Sequence, residues 1–122
     1  MQKLSLQEEQ ALQAVYQTGT GSIKQFLEQI NESRPPYTTL ASTIKNLEKK
    51  GYLKSKMTGN TNLYYATLSK EEYKKGLAGG MVKNYFDNSY KELVNFFVEQ
   101  KKLSSKELRE IIEAIEGKQK KL

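Results

Sequence analysis

From Arg34 to Leu68 the chain reads RPPYTTLASTIKNLEKKGYLKSKMTGNTNLYYATL, and few folds accept that order of signals. Pro35 and Pro36 end any helix before them, and Gly51 ends the helix that follows. Between these stops, Tyr37, Leu40, Ile44 and Leu47 recur at i, i+3, i+7 and i+10, which predicts one apolar stripe on a helix from about Tyr37 to Lys50. At about 100° per residue, the opposite side carries Thr38, Thr39, Ser42, Lys45, Asn46 and Lys49, with no carboxylate among them. Short hydroxyls and an amide let a helix lie close to base edges, and lysines beside them neutralise phosphates. Two β-segments follow, joined at Gly59-Asn60, where positive φ is expected for a tight turn. Lys54 and Lys56 stand two apart on the first segment and so share a face, while Tyr64 and Tyr65 on the second point to opposite faces. A helix, a glycine, a basic strand, a Gly-Asn turn and a tyrosine-rich strand are together what a winged helix-turn-helix looks like in sequence.

The charge distribution agrees. From Arg34 to Lys56 there are six basic residues against one acidic, a balance of +5 in a chain whose net charge is +6. Residues 1–33 balance at −2 and residues 57–122 at +3. Polyanion binding follows the number of phosphates neutralised locally, so this clustering says more than the overall charge. A charge run alone is usually a solvated face. Its coincidence with a hydroxyl-rich helix side and a basic hairpin makes duplex DNA the expected partner. At the hairpin tip Asn60, with Thr58, Thr61 and Asn62, is placed to touch a phosphate, although polar turn residues need no function to explain them.

The chain has no cysteine and no histidine. That removes disulfides, Cys/His metal sites, thiol chemistry and histidine acid–base catalysis, and no enzyme is expected. No cofactor or metal is expected either. Gly79-Gly80 follows no strand and fails as a phosphate loop. No apolar run approaches the length of a membrane span, and MQKLSLQEEQ lacks an apolar signal segment, so a cytoplasmic protein without membrane insertion is expected.

Helix starts are written repeatedly as Ser-x-x-Glu, at Ser5/Glu8, Ser69/Glu72, Ser89/Glu92 and Ser104/Glu107, and in the Gln form at Ser22/Gln25. They predict helices from about Leu6 to Thr18, with Leu12, Val15 and Tyr16 inward, and from about Ile23 to Asn31, with Ile23, Phe26, Leu27 and Ile30 on one stripe. After Leu68 three further helices are expected, at about 70–86, 90–100 and 105–116, the last closed by Gly117 before a frayed basic tail at 118–122. Gly76, Gly79 and Gly80 weaken the first of these by about 1 kcal/mol each against Ala, and suit close approach of another helix. The fold class is thus mainly α with a small β-hairpin. Residues 1–68 form a winged helix-turn-helix DNA-binding domain, and residues 69–122 a helical domain whose apolar faces pair with a second copy. On an alternative view, the winged unit is a scaffold and the C-terminal helices bind a different protein.

The segment Thr39-Leu40 through Ile44, Asn46-Leu47-Glu48-Lys49-Lys50-Gly51-Tyr52-Leu53, then Gly59-Asn60 and Tyr64-Tyr65, resembles the core of the penicillinase and methicillin-resistance repressors, the BlaI/MecI/CopY family. The run VKNYFDNSYKELVNFFVEQKKLSSKELREIIEAIE is similar to that family's dimerisation region, so the resemblance covers about Leu4 to Glu116. It implies a homodimeric repressor on a palindromic operator, with Thr38, Thr39, Ser42, Thr43 and Asn46 at or near the groove. In antibiotic-responsive members a membrane-bound sensor triggers proteolysis at an Asn-Phe bond in the dimerisation region, which Asn95-Phe96 matches. Two departures stand out. The copper-responsive branch binds metal through C-terminal cysteines, which this chain lacks, and the family's Ser-Pro pair before the third helix is replaced by Pro35-Pro36 ahead of Tyr37.

Overall fold

The computed structural model describes residues 2–120. In order, its elements are α1 (Leu6–Thr18), α2 (Ile23–Gln29), α3 (Tyr37–Lys49), β1 (Leu53–Thr58), β2 (Thr61–Ala66), α4 (Lys70–Tyr85), α5 (Tyr90–Glu99) and α6 (Ser105–Lys120). The chain divides into two compact units, Met1–Tyr73 and Lys74–Leu122.

Local chemistry sets most of these boundaries. Full capping boxes start α1 at Ser5/Glu8 and α2 at Ser22/Gln25. The same reciprocal bonds join Ser69 to Glu72 and Ser104 to Glu107, while at Ser89 the side chain accepts from Glu92 N. Each such cap is worth about 1 kcal/mol. By contrast α3 follows Pro36, which offers no side-chain cap.

Within the first unit, α1, α2 and α3 enclose one apolar core with the base of the hairpin. Leu12 and Val15 of α1, Phe26 of α2, Leu40, Ile44 and Leu47 of α3, and Leu53 of β1 are almost wholly buried. Burying one such side chain is worth about 1.5–3 kcal/mol, so this cluster is the main source of the unit's stability. The strands pair antiparallel with Leu53 opposite Ala66 and Thr58 opposite Thr61. That register leaves a two-residue turn at Gly59-Asn60. Of these two only Gly59 has positive φ, +63°, so the turn follows the type II′ pattern and Asn60 does not share the strain expected of it. A third backbone segment joins the hairpin: Gly21 and Tyr64 exchange N–H···O bonds of 3.0 and 2.8 Å. A Cβ at Gly21 would lie 3.2 Å from the ring of buried Phe26 and 3.0 Å from Thr18, so this glycine permits a close approach as well as breaking the chain between helices.

The first turn of α4 belongs to the same unit. Tyr73 packs between Tyr16 and Tyr52, with ring centroids 6.3 and 6.1 Å away, and donates its hydroxyl to Glu9. Tyr16 in turn donates to Leu68 O at 3.0 Å.

In the second unit every regular element among the described residues is a helix. Val82 is buried, and Phe86 meets Phe96 edge-on at 5.6 Å. Asp87 and Asn88 adopt left-handed backbone between α4 and α5, as does Lys101 after α5. Much of the apolar surface stays exposed, including Leu77, Met81, Phe96, Phe97, Ile111, Ile112 and Ile115. No atom lies within 4 Å of where a Cβ on Gly76 or Gly80 would sit, so the close helix packing expected there does not occur within one described chain. The helix expected to stop at Gly117 continues to Lys120, because nothing after Gly117 breaks it. Of the tail expected at 118–122, residues 121–122 lie outside the described residues. No helix is long and apolar enough to cross a membrane among the described residues.

Candidate nucleic-acid interface

The third helix is held from three sides. Leu40, Thr43, Ile44 and Leu47 point into the core and span about 100° of its circumference. At its end, Gly51 at φ +88° turns the chain, and Tyr52 N bonds to Leu47 O at 3.0 Å. Lys50 reaches back to α1, with its Nζ 2.7 Å from Glu8 Oε1 and 3.2 Å from Lys3 O. Glu8 also accepts from Ser5 N at 2.9 Å. The hydrogen bond from Lys50, reinforced by that from Ser5, holds the Glu8 carboxyl below its usual range even though burial opposes this.

The face turned away from the core matches the expected polar side in most positions. Thr38, Ser42, Lys45, Asn46 and Lys49 are exposed, and Thr39 is half-buried. Thr38, Ser42, Lys45 and Lys49 stand at i, i+4, i+7 and i+11 and fall within about 60° of one another, a straight row along the helix. No acidic residue interrupts the row, because Glu48 lies to one side and accepts from Ser55 Oγ of β1 at 2.5 Å. That bond sets β1 beside the second half of α3.

On the hairpin, the face that holds Leu53, Ser55 and Tyr64 turns to the core. The other carries Lys54 beside Tyr65 and Lys56 beside Leu63. Both lysines are exposed, as is Asn60 at the turn. Burial raises the Tyr64 hydroxyl above its ordinary pKa, as a residue beneath the wing should behave. Among the described residues, Lys45, Lys49, Lys54 and Lys56 hold no ion pair.

Several residues depart from the expected arrangement. Thr43 is only 7 % exposed and donates its hydroxyl to Thr39 O at 3.0 Å, so it belongs to the core arc and not to the outward face. A threonine can take an interior helix position when the carbonyl four residues back satisfies its hydroxyl. Tyr37, placed on the apolar stripe by its spacing, is 52 % exposed, because the core does not reach beneath the first turn of α3. Lys50 spends its charge on Glu8 and leaves the basic cluster. Arg34 donates to Ile30 O at 2.6 Å and to Glu28 O at 3.5 Å, closing the end of α2. Asn95 and Phe96 sit in α5 of the other unit, Asn95 exposed and Phe96 stacked edge-on with Phe86 and Phe97.

Geometrically, then, one unit presents an outward helix face of hydroxyls, an amide and two lysines, with a lysine-bearing hairpin alongside. Among the described residues no group of acidic side chains is arranged to hold a metal ion.

Comparison with known proteins identifies a family. A family model described as penicillinase repressor matches residues 4–117. No curated protein matches the chain. Among solved structures, one of Bordetella bronchiseptica BpsR, described as addressing the mechanism by which 6-hydroxynicotinic acid regulates its DNA binding, is similar at a TM-score of 0.49 and 16 % identity, over 97 % of this chain and 76 % of that one. That likeness is too distant to bear on function.

Proposed function

Since the chain belongs to the penicillinase repressor family, and is therefore a transcriptional repressor and not an enzyme, we propose that it binds a palindromic operator as a homodimer. The outward face of α3 enters the major groove and the hairpin tracks the adjacent backbone. Thr38, Thr39, Ser42 and Asn46 address base edges, while Lys45, Lys49, Lys54, Lys56 and Asn60 address phosphates. The observation that carries this assignment is the uninterrupted row of Thr38, Ser42, Lys45 and Lys49, free of carboxylates and flanked by the unpaired lysines of β1.

Homodimerisation is supported by the second unit. Its exposed Ile111, Ile112 and Ile115 fall on one stripe of α6, and Val94, Phe97 and Val98 of α5 are exposed too. A single protomer leaves these apolar faces in water, and a two-fold partner presents a self-complementary surface to cover them. Two heads related by a two-fold axis require an inverted repeat in the DNA. The protein then acts in the cytoplasm, on the promoters of the genes it represses.

Release by a membrane-bound sensor protease is a further part of the proposal, resting on the family resemblance of Asn95-Phe96. The bond lies inside α5 (Tyr90–Glu99), so cleavage requires local unwinding of that helix. Co-expression with a candidate sensor, followed by mass spectrometry, should yield fragments ending at Asn95 and starting at Phe96. An intact chain in induced cells would remove this mode of release for the protein. For the core of the proposal, a mobility-shift assay on DNA upstream of its own gene should show a dimer-sized, salt-sensitive complex. Equal affinity for random duplex would count against an operator, and no affinity even at low salt would favour a protein-interaction role for the C-terminal helices.

A further inference from the structure

Tyr37 is the first residue of α3, and its exposure leaves an aromatic ring at the leading end of the helix that the proposed function sends into the major groove. Its ring lies on the hairpin side of the polar row, close enough to Tyr64 to act on that hydroxyl, and is still half exposed. Among the described residues the Tyr37 hydroxyl makes no hydrogen bond. Half-buried Ala41 lies one turn on, about 40° around the helix, between Tyr37 and the row led by Thr38 and Lys45. Tyr37 and Ala41 therefore form a short apolar edge beside a face of hydroxyls and cations.

Bases stacked within a duplex offer no ring faces to such an edge. In the major groove the base pairs present hydrogen-bonding atoms and a single apolar group, the 5-methyl of thymine. We infer that Tyr37, with Ala41 beside it, is a specificity-determining residue that contacts the methyl group of one thymine in each operator half-site. This rests on the proposed operator binding and adds to it an apolar contact that the polar row does not supply.

The test begins with selection of binding sites from a random duplex library by the full-length wild type and by Tyr37→Ala. Each thymine of the wild-type site is then replaced by deoxyuridine, which removes only the methyl group. One position per half-site should weaken wild-type binding about fourfold, the worth of one buried methyl. Tyr37→Ala should bind thymine and deoxyuridine equally there, and Tyr37→Phe should discriminate as the wild type does. A site with no methyl-sensitive position, or one whose sensitivity survives Tyr37→Ala, overturns this inference and leaves operator binding standing. A library from which the wild type enriches no site overturns the proposed function, and this inference with it.

Discussion

Glu8 is a buried carboxylate whose Oε1 meets both Ser5 N and Lys50 Nζ, and so joins the start of α1 to the end of α3. Its folded pKa is depressed, so its contribution is present above the ordinary value of 4.5 and is lost as pH falls through the folded value. Lys50→Met leaves that carboxylate with no cation and should destabilise the protein by about 2–4 kcal/mol at pH 7, with the loss shrinking toward pH 3, as read from urea midpoints across pH. Had the charge of Lys50 served DNA instead, the same substitution would weaken binding and leave the midpoints unchanged. On the outward face, Asn46→Ala should relax base preference at one position per half-site, whereas Lys54→Ala, lost from both protomers, should weaken all sequences alike and reduce the salt slope by about two, both read in binding titrations. Residues of this kind show what a single sequence makes legible. The polar row was readable because helical geometry alone fixes which side chains share a face. Lys50 was not, because its partner lies 42 residues away. Thr43 and Tyr37 were misplaced for related reasons: a hydroxyl satisfied by its own helix does not look buried, and a stripe does not say where the core beneath it stops.

Among the elements, the helices announced themselves through their caps, because a capping box is a local bargain between residues three apart. The contact between Gly21 and Tyr64 was hidden, since a glycine between helices reads as a breaker whether or not a strand pairs with it. Gly21→Ala should therefore cost about 1–3 kcal/mol by thermal melting, more than an exposed loop glycine would, because its Cβ crowds the ring of Phe26. In the wing, Gly59 alone carries the left-handed turn, so Gly59→Val should destabilise the hairpin by about 1–2 kcal/mol while Asn60→Ala has little effect on stability. The tyrosine cluster at the start of α4 has its own signature. Burial, with Glu9 close by, raises Tyr73 to about 12, so the stability it contributes is complete below pH 10 and is lost as pH rises from about 10 toward 12. Tyr73→Phe should remove part of that alkaline loss, as followed by fluorescence-monitored unfolding between pH 9 and pH 12.

At the scale of the whole molecule, the proposed repressor carries a DNA-binding head and a helical unit whose exposed apolar faces a second copy would cover. Ile112→Glu places a charge in that expected contact, so it should shift the protein to a monomer in analytical ultracentrifugation and abolish the dependence of melting temperature on concentration. The measurement that bears most directly on the account is the salt dependence of binding to the selected site against a scrambled duplex of the same length. If Lys45, Lys49, Lys54 and Lys56 of two protomers all meet phosphates, the logarithmic slope should be about −7, and the site should be held roughly a thousandfold or more tighter than the scrambled duplex at physiological salt. A slope near zero, or equal affinity for the two duplexes, would contradict the claim that α3 and the wing together read DNA.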